Sequence, residues 1–108
     1  MTKSVLPVET CDVAYAMSLI GGKWKIYILW KLLKGKKRFA ELRRAISGIS
    51  EPVLIAQLKE LERDGLVRRT SYPVVPPRVE YELTPLAYKL NEALLRLRSW
   101  GSQARKIC

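Results

Sequence analysis

Apolar residues in the first part of the chain recur at helical spacing and predict two helices. Asp12 is a candidate N-cap and Gly21-Gly22 a candidate end, which predicts a short first helix with Val13, Met17 and Ile20 on one stripe. Residues 26–30 are apolar on all sides and are bracketed by lysines. This pattern predicts a second, buried helix that ends at Gly35 and is too short to span a bilayer.

The next two predicted helices are separated by a tight connection that contains Gly48. Phe39, Leu42 and Ile46 stand at helical spacing and give about two turns. Ser50 is well placed as the N-cap of the longer fourth helix, and Pro52 falls in its first turn, where a missing N–H costs nothing. This helix ends at Gly65, and its predicted buried stripe consists of Leu54, Leu58 and Leu61.

The last third of the chain predicts a β-hairpin followed by a helix. β-rich residues with partial alternation predict strands within about 66–84, and the proline-rich segment 73–77 predicts a stiff, outward-projecting loop between them. Thr84 and Pro85 supply an N-cap and an N1 proline for a long final helix over about 85–103. One face of this helix is marked by Leu86, Leu90, Leu94 and Leu97.

This order of elements predicts one domain over residues 1–108, mainly α with a small β-hairpin. Two helices joined by a tight turn over about 39–64, followed at once by a hairpin, form a winged helix-turn-helix. The final helix carries further apolar residues outside its main stripe, Leu95 among them, and these favour contact with a second subunit.

The net charge of +10 on 108 residues indicates a polyanionic partner. Since 48% of the residues are hydrophobic, this charge belongs to a folded surface and not to a disordered tail. Residues 22–46 hold nine bases against the single acid Glu41, a density that suits phosphates. The alternative is a solvated face that only maintains solubility, but the adjacent helix-turn-helix and wing favour double-stranded DNA.

Other classes of function have little support in the composition. The chain has no histidine, and Cys11 and Cys108 are far apart in the sequence and match no metal-binding spacing, so we expect neither an enzyme nor a metal or cofactor site. The start of the chain lacks the apolar core of a signal peptide, and no long apolar run is free of Lys or Arg. We therefore expect a cytoplasmic protein without a membrane span.

The residues expected to contact DNA fall into three groups. Gln57 and Lys59 of the fourth helix can read bases in the major groove, with Ser50 at the start of that helix. Arg78, at the end of the proline loop, can enter a minor groove; the alternative is an ion pair with Glu80 or Glu82 of the hairpin. Phosphate contacts are expected from Lys36, Lys37, Arg38, Arg43 and Arg44. The three tryptophans, which could instead stack bases, are expected to pack in the core: Trp24, Trp30 and Trp100.

Several segments resemble the HxlR-type transcriptional regulators, a family of small winged helix dimers. They are LIGGKW at 19–24, RFAELRRAI at 38–46, GIS at 48–50, LKELERDGLVRR at 58–69 and YPVVPPRVEYELTP at 72–85. The resemblance implies a homodimer formed by the first and last helices, with two recognition helices in successive major grooves of a pseudopalindromic site. This sequence departs from the family by its less polar residues around Pro52, Ile55 and Ala56.

The resemblance also concerns a thiol, because family members often carry a cysteine at the position of Cys11, and in some of them it responds to oxidants. A sensing thiol must be exposed and have a lowered pKa, so both an inert and a redox-sensing Cys11 stay open. Cys108, outside the family pattern, is a candidate resolving thiol across a dimer. Two alternatives to a sequence-specific regulator also stay open: a sequence-neutral architectural nucleic-acid binder and a protein-interaction module.

Overall fold

The computed structural model describes residues 8–107, with side chains from 12 to 105. It confirms the predicted fold class, a winged helix-turn-helix that is mainly helical, with a small antiparallel sheet in the strand order β1-β3-β2. No helix within residues 8–107 is both long enough and apolar enough to cross a bilayer. The elements are α1 Val8–Ile20, α2 Lys25–Leu32, β1 Lys37–Arg38, α3 Phe39–Ala45, α4 Glu51–Arg63, β2 Val67–Tyr72, β3 Arg78–Leu83, α5 Pro85–Tyr88 and α6 Leu90–Ile107.

The local features predicted for α4 are confirmed. The Ser50 hydroxyl accepts a hydrogen bond from the Val53 N–H at 3.3 Å, which satisfies one of the free N–H groups of the first turn. Pro52 lies in that turn, and the chain leaves the helix at Gly65, whose φ of +78° is readily adopted only by glycine. Helix α4 is the second helix of the helix-turn-helix and hence its recognition helix. Its own sequence delimits it at both ends.

The core lies between α2, α3 and α4 on one side and the inner face of the sheet on the other. The predicted stripe of α4 is almost fully buried there, and each such leucine contributes about 1.5–3 kcal/mol relative to an exposed side chain. The neighbours of this stripe in the core include Ile28, Leu29 and Leu32 of α2, Leu42 of α3, and Val67, Tyr81 and Leu83 of the sheet.

The sheet has a third strand that the sequence pattern did not indicate. β1 pairs with β3 so that Lys37 lies opposite Tyr81 and Arg38 opposite Glu80. A strand of two residues is too short for alternation to show, and its pairing depends on a partner much later in the chain. The consequence is that two predicted DNA contacts, Lys37 and Arg38, are fixed to the base of the wing.

The predicted long final helix is divided into two. Ala87 of the short helix α5 is buried, α5 ends at Tyr88, and α6 begins at Leu90 and continues to Ile107, beyond the predicted end. Thr84 caps α5 as predicted, by accepting a hydrogen bond from the Ala87 N–H at 3.3 Å. The Thr84 hydroxyl also donates to the Gly65 carbonyl at 2.7 Å, which joins the end of α4 to the start of α5.

One expectation for α1 was wrong. The helix begins at Val8, so Asp12 is not its N-cap; the Asp12 side chain is exposed on the helix surface, where an aspartate stays hydrated and costs the helix little. Within the predicted stripe, Val13 and Met17 are more than half exposed and Ile20 packs against the core of this chain. The predicted end at Gly21-Gly22 is confirmed.

Two aromatic residues lie further outside the core than predicted. Tyr27 of the expected buried helix α2 is about half exposed, and Trp100 of α6 is 65% exposed, so the predicted core position of Trp100 is wrong for a single chain. Trp24 does pack partly against the core. Among the described side chains, α1 and α6 carry the largest numbers of exposed aromatic and aliphatic groups.

One base of the segment 22–46 points inward. The Lys25 ammonium lies 2.6 Å from the Glu60 carboxylate of α4, and its side chain is only 10% exposed. The hydrogen bond and the charge of Lys25 lower the pKa of Glu60 below its ordinary value of 4.5. This pair connects α2 to the recognition helix, so Lys25 is unavailable for phosphates.

Glu60→Gln is expected to lower the free energy of unfolding at neutral pH, because the Lys25 ammonium stays buried without its opposite charge. Since the pKa of Glu60 is lowered in the folded state, its stabilisation is complete above pH 4.5 and is lost as the pH falls through the lowered pKa. The difference between wild type and variant should therefore stay constant from about pH 7 to about pH 4.5 and should shrink between about pH 4.5 and about pH 3, as measured by urea unfolding. Glu62→Gln is the matched control, and a pH-independent difference would contradict the expectation.

Candidate nucleic-acid interface

The recognition helix α4 turns a mixed apolar and polar face to solvent. Ser50, Ile55 and Lys59 are exposed, whereas Gln57 is half-buried beside the core stripe. Lys59 is thus the freest of the predicted base-reading side chains, and Gln57 is more constrained than the sequence suggested. Pro52, Val53 and Ala56 are also exposed and offer only apolar contact, and the acid Glu51 is exposed in the first turn.

A groove of about 270 Å³ separates α4 from the wing. Ile55, Lys59 and the acid Glu62 line it from the helix, and Arg69 and Tyr81 line it from the sheet. Two cations therefore face one another across a concave surface at the junction of helix and wing. Such a surface suits a phosphate backbone that passes between these elements.

Arg69 joins Lys59 at this groove, and the strand pattern separates Arg69 from its neighbour Arg68. Arg69 lies opposite Tyr81, on the sheet face that points toward α4, whereas Arg68 lies opposite Glu82 on the outer face. Arg68 also pairs with Glu82 at 3.7 Å. The alternation of β2 with buried Val67 therefore distinguishes two adjacent arginines, one of which faces the recognition helix.

The predicted phosphate contacts are gathered around β1 and α3. Arg38 and Arg78 line an open groove of about 460 Å³ between the start of α3 and the wing loop. Arg43 and Arg44 are exposed on α3, and Arg43 lies 3.7 Å from Glu51. Glu41, the single acid of the basic segment, accepts a hydrogen bond from the Arg38 N–H at 2.8 Å and so caps α3.

The wing arginine belongs to a cluster on the outer face of the sheet. Arg78 lies over the ring of Tyr72, 4.5 Å from its centroid, and its Nε is 3.7 Å from the Glu80 carboxylate. Glu80 also accepts a hydrogen bond from the Tyr72 hydroxyl at 3.0 Å and lies 3.6 Å from the Lys36 ammonium. The ion pair considered as the alternative for Arg78 is present, with Glu80 as its partner.

The acids of α4 are largely balanced by neighbouring bases. Glu51 faces Arg43, Glu60 faces Lys25, and Asp64 accepts hydrogen bonds from the Arg63 guanidinium at 3.2 and 3.4 Å. The basic character of the interface therefore comes from α3, β1 and the wing, which surround a recognition helix of low net charge.

The fold and this surface define the class of the protein: a winged helix-turn-helix of the kind that binds DNA. The chain belongs to the HxlR-like helix-turn-helix family, whose model matches residues 19–107. The resemblance seen in the sequence is thereby confirmed, and the chain is a helix-turn-helix transcriptional regulator.

Individual relatives support this assignment over most of the chain. The HTH-type transcriptional regulator YybR of Bacillus subtilis (strain 168) is 42% identical over 106 residues, which are 97% of this chain and 85% of YybR. A crystal structure described as a transcriptional regulator of the MarR family, from Enterococcus faecalis V583, matches with a TM-score of 0.82 at 42% identity, covering 98% of this chain and 96% of that one. The redox regulator HypR in its reduced form matches with a TM-score of 0.84 at 42% identity, covering 89% and 95% of the two chains.

The cysteines fall at or beyond the limits of the described structure. Cys11 lies within α1, but its side chain is outside the described residues, and so is Cys108. The predicted sensing and resolving roles of these thiols therefore stay predictions.

Proposed function

We propose that this regulator binds a pseudopalindromic duplex site as a homodimer, with α4 in the major groove and the wing against the adjacent backbone. The observation that carries the proposal is the groove in which Lys59 of α4 faces Arg69 of the wing. Lys37 of β1 lies opposite Tyr81 of this groove, Arg38 lines the second groove beside the wing loop, and Arg43 and Arg44 extend the basic surface along α3. Phosphate contacts from these bases supply most of the affinity, and Ser50, Gln57 and Lys59 supply a modest base readout.

The homodimer is supported by the apolar surface that a single chain leaves uncovered. Val13, Tyr15 and Met17 on α1 are more than half exposed, as are Leu97 and Trp100 on α6. Such a concentration of exposed apolar groups marks an interaction surface. The first and last helices are therefore the proposed dimer contacts.

Charge supports the same arrangement. The sequence of α1 contains Glu9 and Asp12 and no base, whereas α6 contains four bases against the single acid Glu92. A groove of about 440 Å³ between α2 and α6 combines Tyr27 and Trp30 with Arg98 and Arg105. A largely apolar helix that carries acids and no base, such as the partner's α1, complements this groove in both polarity and charge.

Selection of bound sequences from a random duplex pool tests the proposed function. We expect enrichment of two related half-sites in inverted orientation, with centres about 10 base pairs apart or a multiple of that, because a two-fold symmetric dimer places its recognition helices on one side of the duplex. Enrichment of single half-sites would contradict the dimer, and absence of any duplex binding at low salt would contradict DNA recognition.

The second candidate is a sequence-neutral architectural binder, which the exposed apolar side chains of α4 favour. Val53 and Ile55 offer contact with thymine methyls but no hydrogen bonds to bases. A random duplex that competes as well as any selected duplex would establish this alternative. In either case the protein acts on DNA, and we propose the cytoplasm as its compartment.

We also propose that duplex affinity responds to thiol oxidation through Cys11. Its position in α1, one of the proposed dimer helices, is the structural support, and the similarity to the redox regulator HypR is the comparative one. We expect mild oxidation to change the duplex affinity of the wild type and to leave Cys11→Ser unchanged, as measured by fluorescence anisotropy. Cys108→Ser is the control for the second thiol, and equal responses of wild type and Cys11→Ser would exclude Cys11 as the sensor.

A further inference from the structure

We infer that Glu80 is a positioning residue, whose carboxylate fixes Arg78 and Lys36 in the orientation from which the wing distinguishes one DNA sequence from another. The inference rests on the proposed binding of duplex DNA and adds to it an acidic residue that carries no DNA contact of its own. An acid within a DNA-binding surface would otherwise only repel phosphates.

The two carboxylate oxygens of Glu80 contact different neighbours. Oε1 accepts the hydrogen bond from the Tyr72 hydroxyl at 3.0 Å and lies 3.6 Å from the Lys36 ammonium. Oε2 faces Arg78 Nε at 3.7 Å. One carboxylate thus connects a residue beside β1, a residue of β2 and a residue of β3.

The surroundings of Glu80 favour its charged form. The Tyr72 hydroxyl lowers the pKa of the Glu80 carboxyl, and the charges of Lys36 and Arg78 lower it further, against the opposing effect of burial. Glu80 is therefore ionised at neutral pH. It offsets the mutual repulsion of two cations that lie close together on the sheet.

Arg78 is held in place by its neighbours but keeps guanidinium N–H groups that can donate to a ligand. Its guanidinium rests on the Tyr72 ring, its side chain is 37% exposed, and its buried Nε has no hydrogen-bond partner among the described residues. The remaining guanidinium donors can serve a ligand. The wing thus presents an arginine whose direction is fixed by Tyr72 and Glu80, and narrow minor grooves attract such a side chain according to their sequence.

Glu82 provides a matched comparison on the same strand and the same face. It is 33% exposed against 17% for Glu80, and it pairs with Arg68 alone, at 3.7 Å. Glu80→Gln and Glu82→Gln remove the same charge. Any difference between them reports the cluster that Glu80 organises.

The experiment measures the ratio of dissociation constants for random and selected duplexes in wild type, Glu80→Gln and Glu82→Gln. Both variants should bind random duplex more tightly, because each loses one negative charge. Only Glu80→Gln should reduce the ratio of the dissociation constant for random duplex to that for selected duplex. The expected reduction is about tenfold, because one charge-assisted contact is lost. Equal ratios in the two variants would overturn the inference.

Tyr72→Phe tests the same inference on Glu80 without a change of charge. It removes the hydroxyl that donates to Glu80 while the aromatic ring under Arg78 stays in place, and it should reduce the ratio by about two- to threefold. If Glu80→Gln fails to fold, a wild-type ratio in Tyr72→Phe overturns the inference. Failure of the wild type to bind any duplex would instead refute the proposed function.

Discussion

Raising the salt concentration from about 50 to about 200 mM is expected to weaken duplex binding by about three to five orders of magnitude. Each phosphate that a lysine or arginine neutralises releases condensed counterions, and six to ten such contacts per complex give about this slope. The bases around β1, α3 and the α4–wing groove supply that number when two protomers are counted. Fluorescence anisotropy at a series of salt concentrations measures the slope, and a flat dependence would contradict a phosphate-based interface.

Single substitutions locate the contacts behind this slope. Lys59→Ala and Arg69→Ala should each reduce the slope of log affinity against log salt concentration by about one per protomer. Both side chains line the groove beside the recognition helix. Arg68→Ala is the matched control, because Arg68 lies on the other face of β2, at the end of the hairpin away from the wing loop and Arg78, and is engaged by Glu82. An effect of Arg68→Ala as large as that of Arg69→Ala would contradict the contact assigned to the groove between α4 and the wing.

Trp100→Glu is expected to convert the dimer to a monomer and to weaken binding to a two-half-site duplex by about two to four orders of magnitude. Trp100 is 65% exposed in the single chain, so a charge there should leave the monomer folded while it disrupts an apolar contact between subunits. Once the subunits separate, each protomer binds its half-site independently. The increase in affinity that comes from linking two DNA-binding domains in one dimer is then lost. Analytical ultracentrifugation gives the oligomeric state, and circular dichroism verifies the fold.

Asn91→Glu is the control for this variant. It adds the same charge to α6, and its distance of nine residues, or two and a half turns, places it on the opposite side of the helix. The control should remain dimeric and should retain most of its duplex affinity. A Trp100→Glu variant that also stays dimeric would exclude this face of α6 from the interface.

The parts of the fold that were predictable from sequence are those determined by neighbouring residues. Ser50, Pro52 and Gly65 delimit α4 through caps and turn chemistry, and Thr84 and Pro85 do the same for α5. Spacing alone also identified the leucines of α4 that enter the core. Each of these features depends on interactions a few residues apart.

The features that escaped prediction depend on contacts between distant segments. The pairing of β1 with β3, the ion pair of Lys25 with Glu60 and the cluster around Glu80 all join residues from separate elements. Periodicity also cannot distinguish an apolar stripe that enters the core from one that a second subunit would cover, which is why Trp100 was assigned to the interior. For the candidate site, residue types indicated which side chains could bind phosphates, but only the fold brought Lys59 of α4 and Arg69 of β2 to one groove.

Thr84 connects three elements, namely α4, α5 and the second strand of the wing. Its hydroxyl donates to the Gly65 carbonyl at the end of the recognition helix, its oxygen caps α5, and its own position follows directly on β3 of the wing. A rotation of the last two helices against the core would therefore displace the end of the recognition helix and the base of the wing together. Thr84 therefore couples the last two helices to α4 and the wing, the two elements that we propose contact DNA.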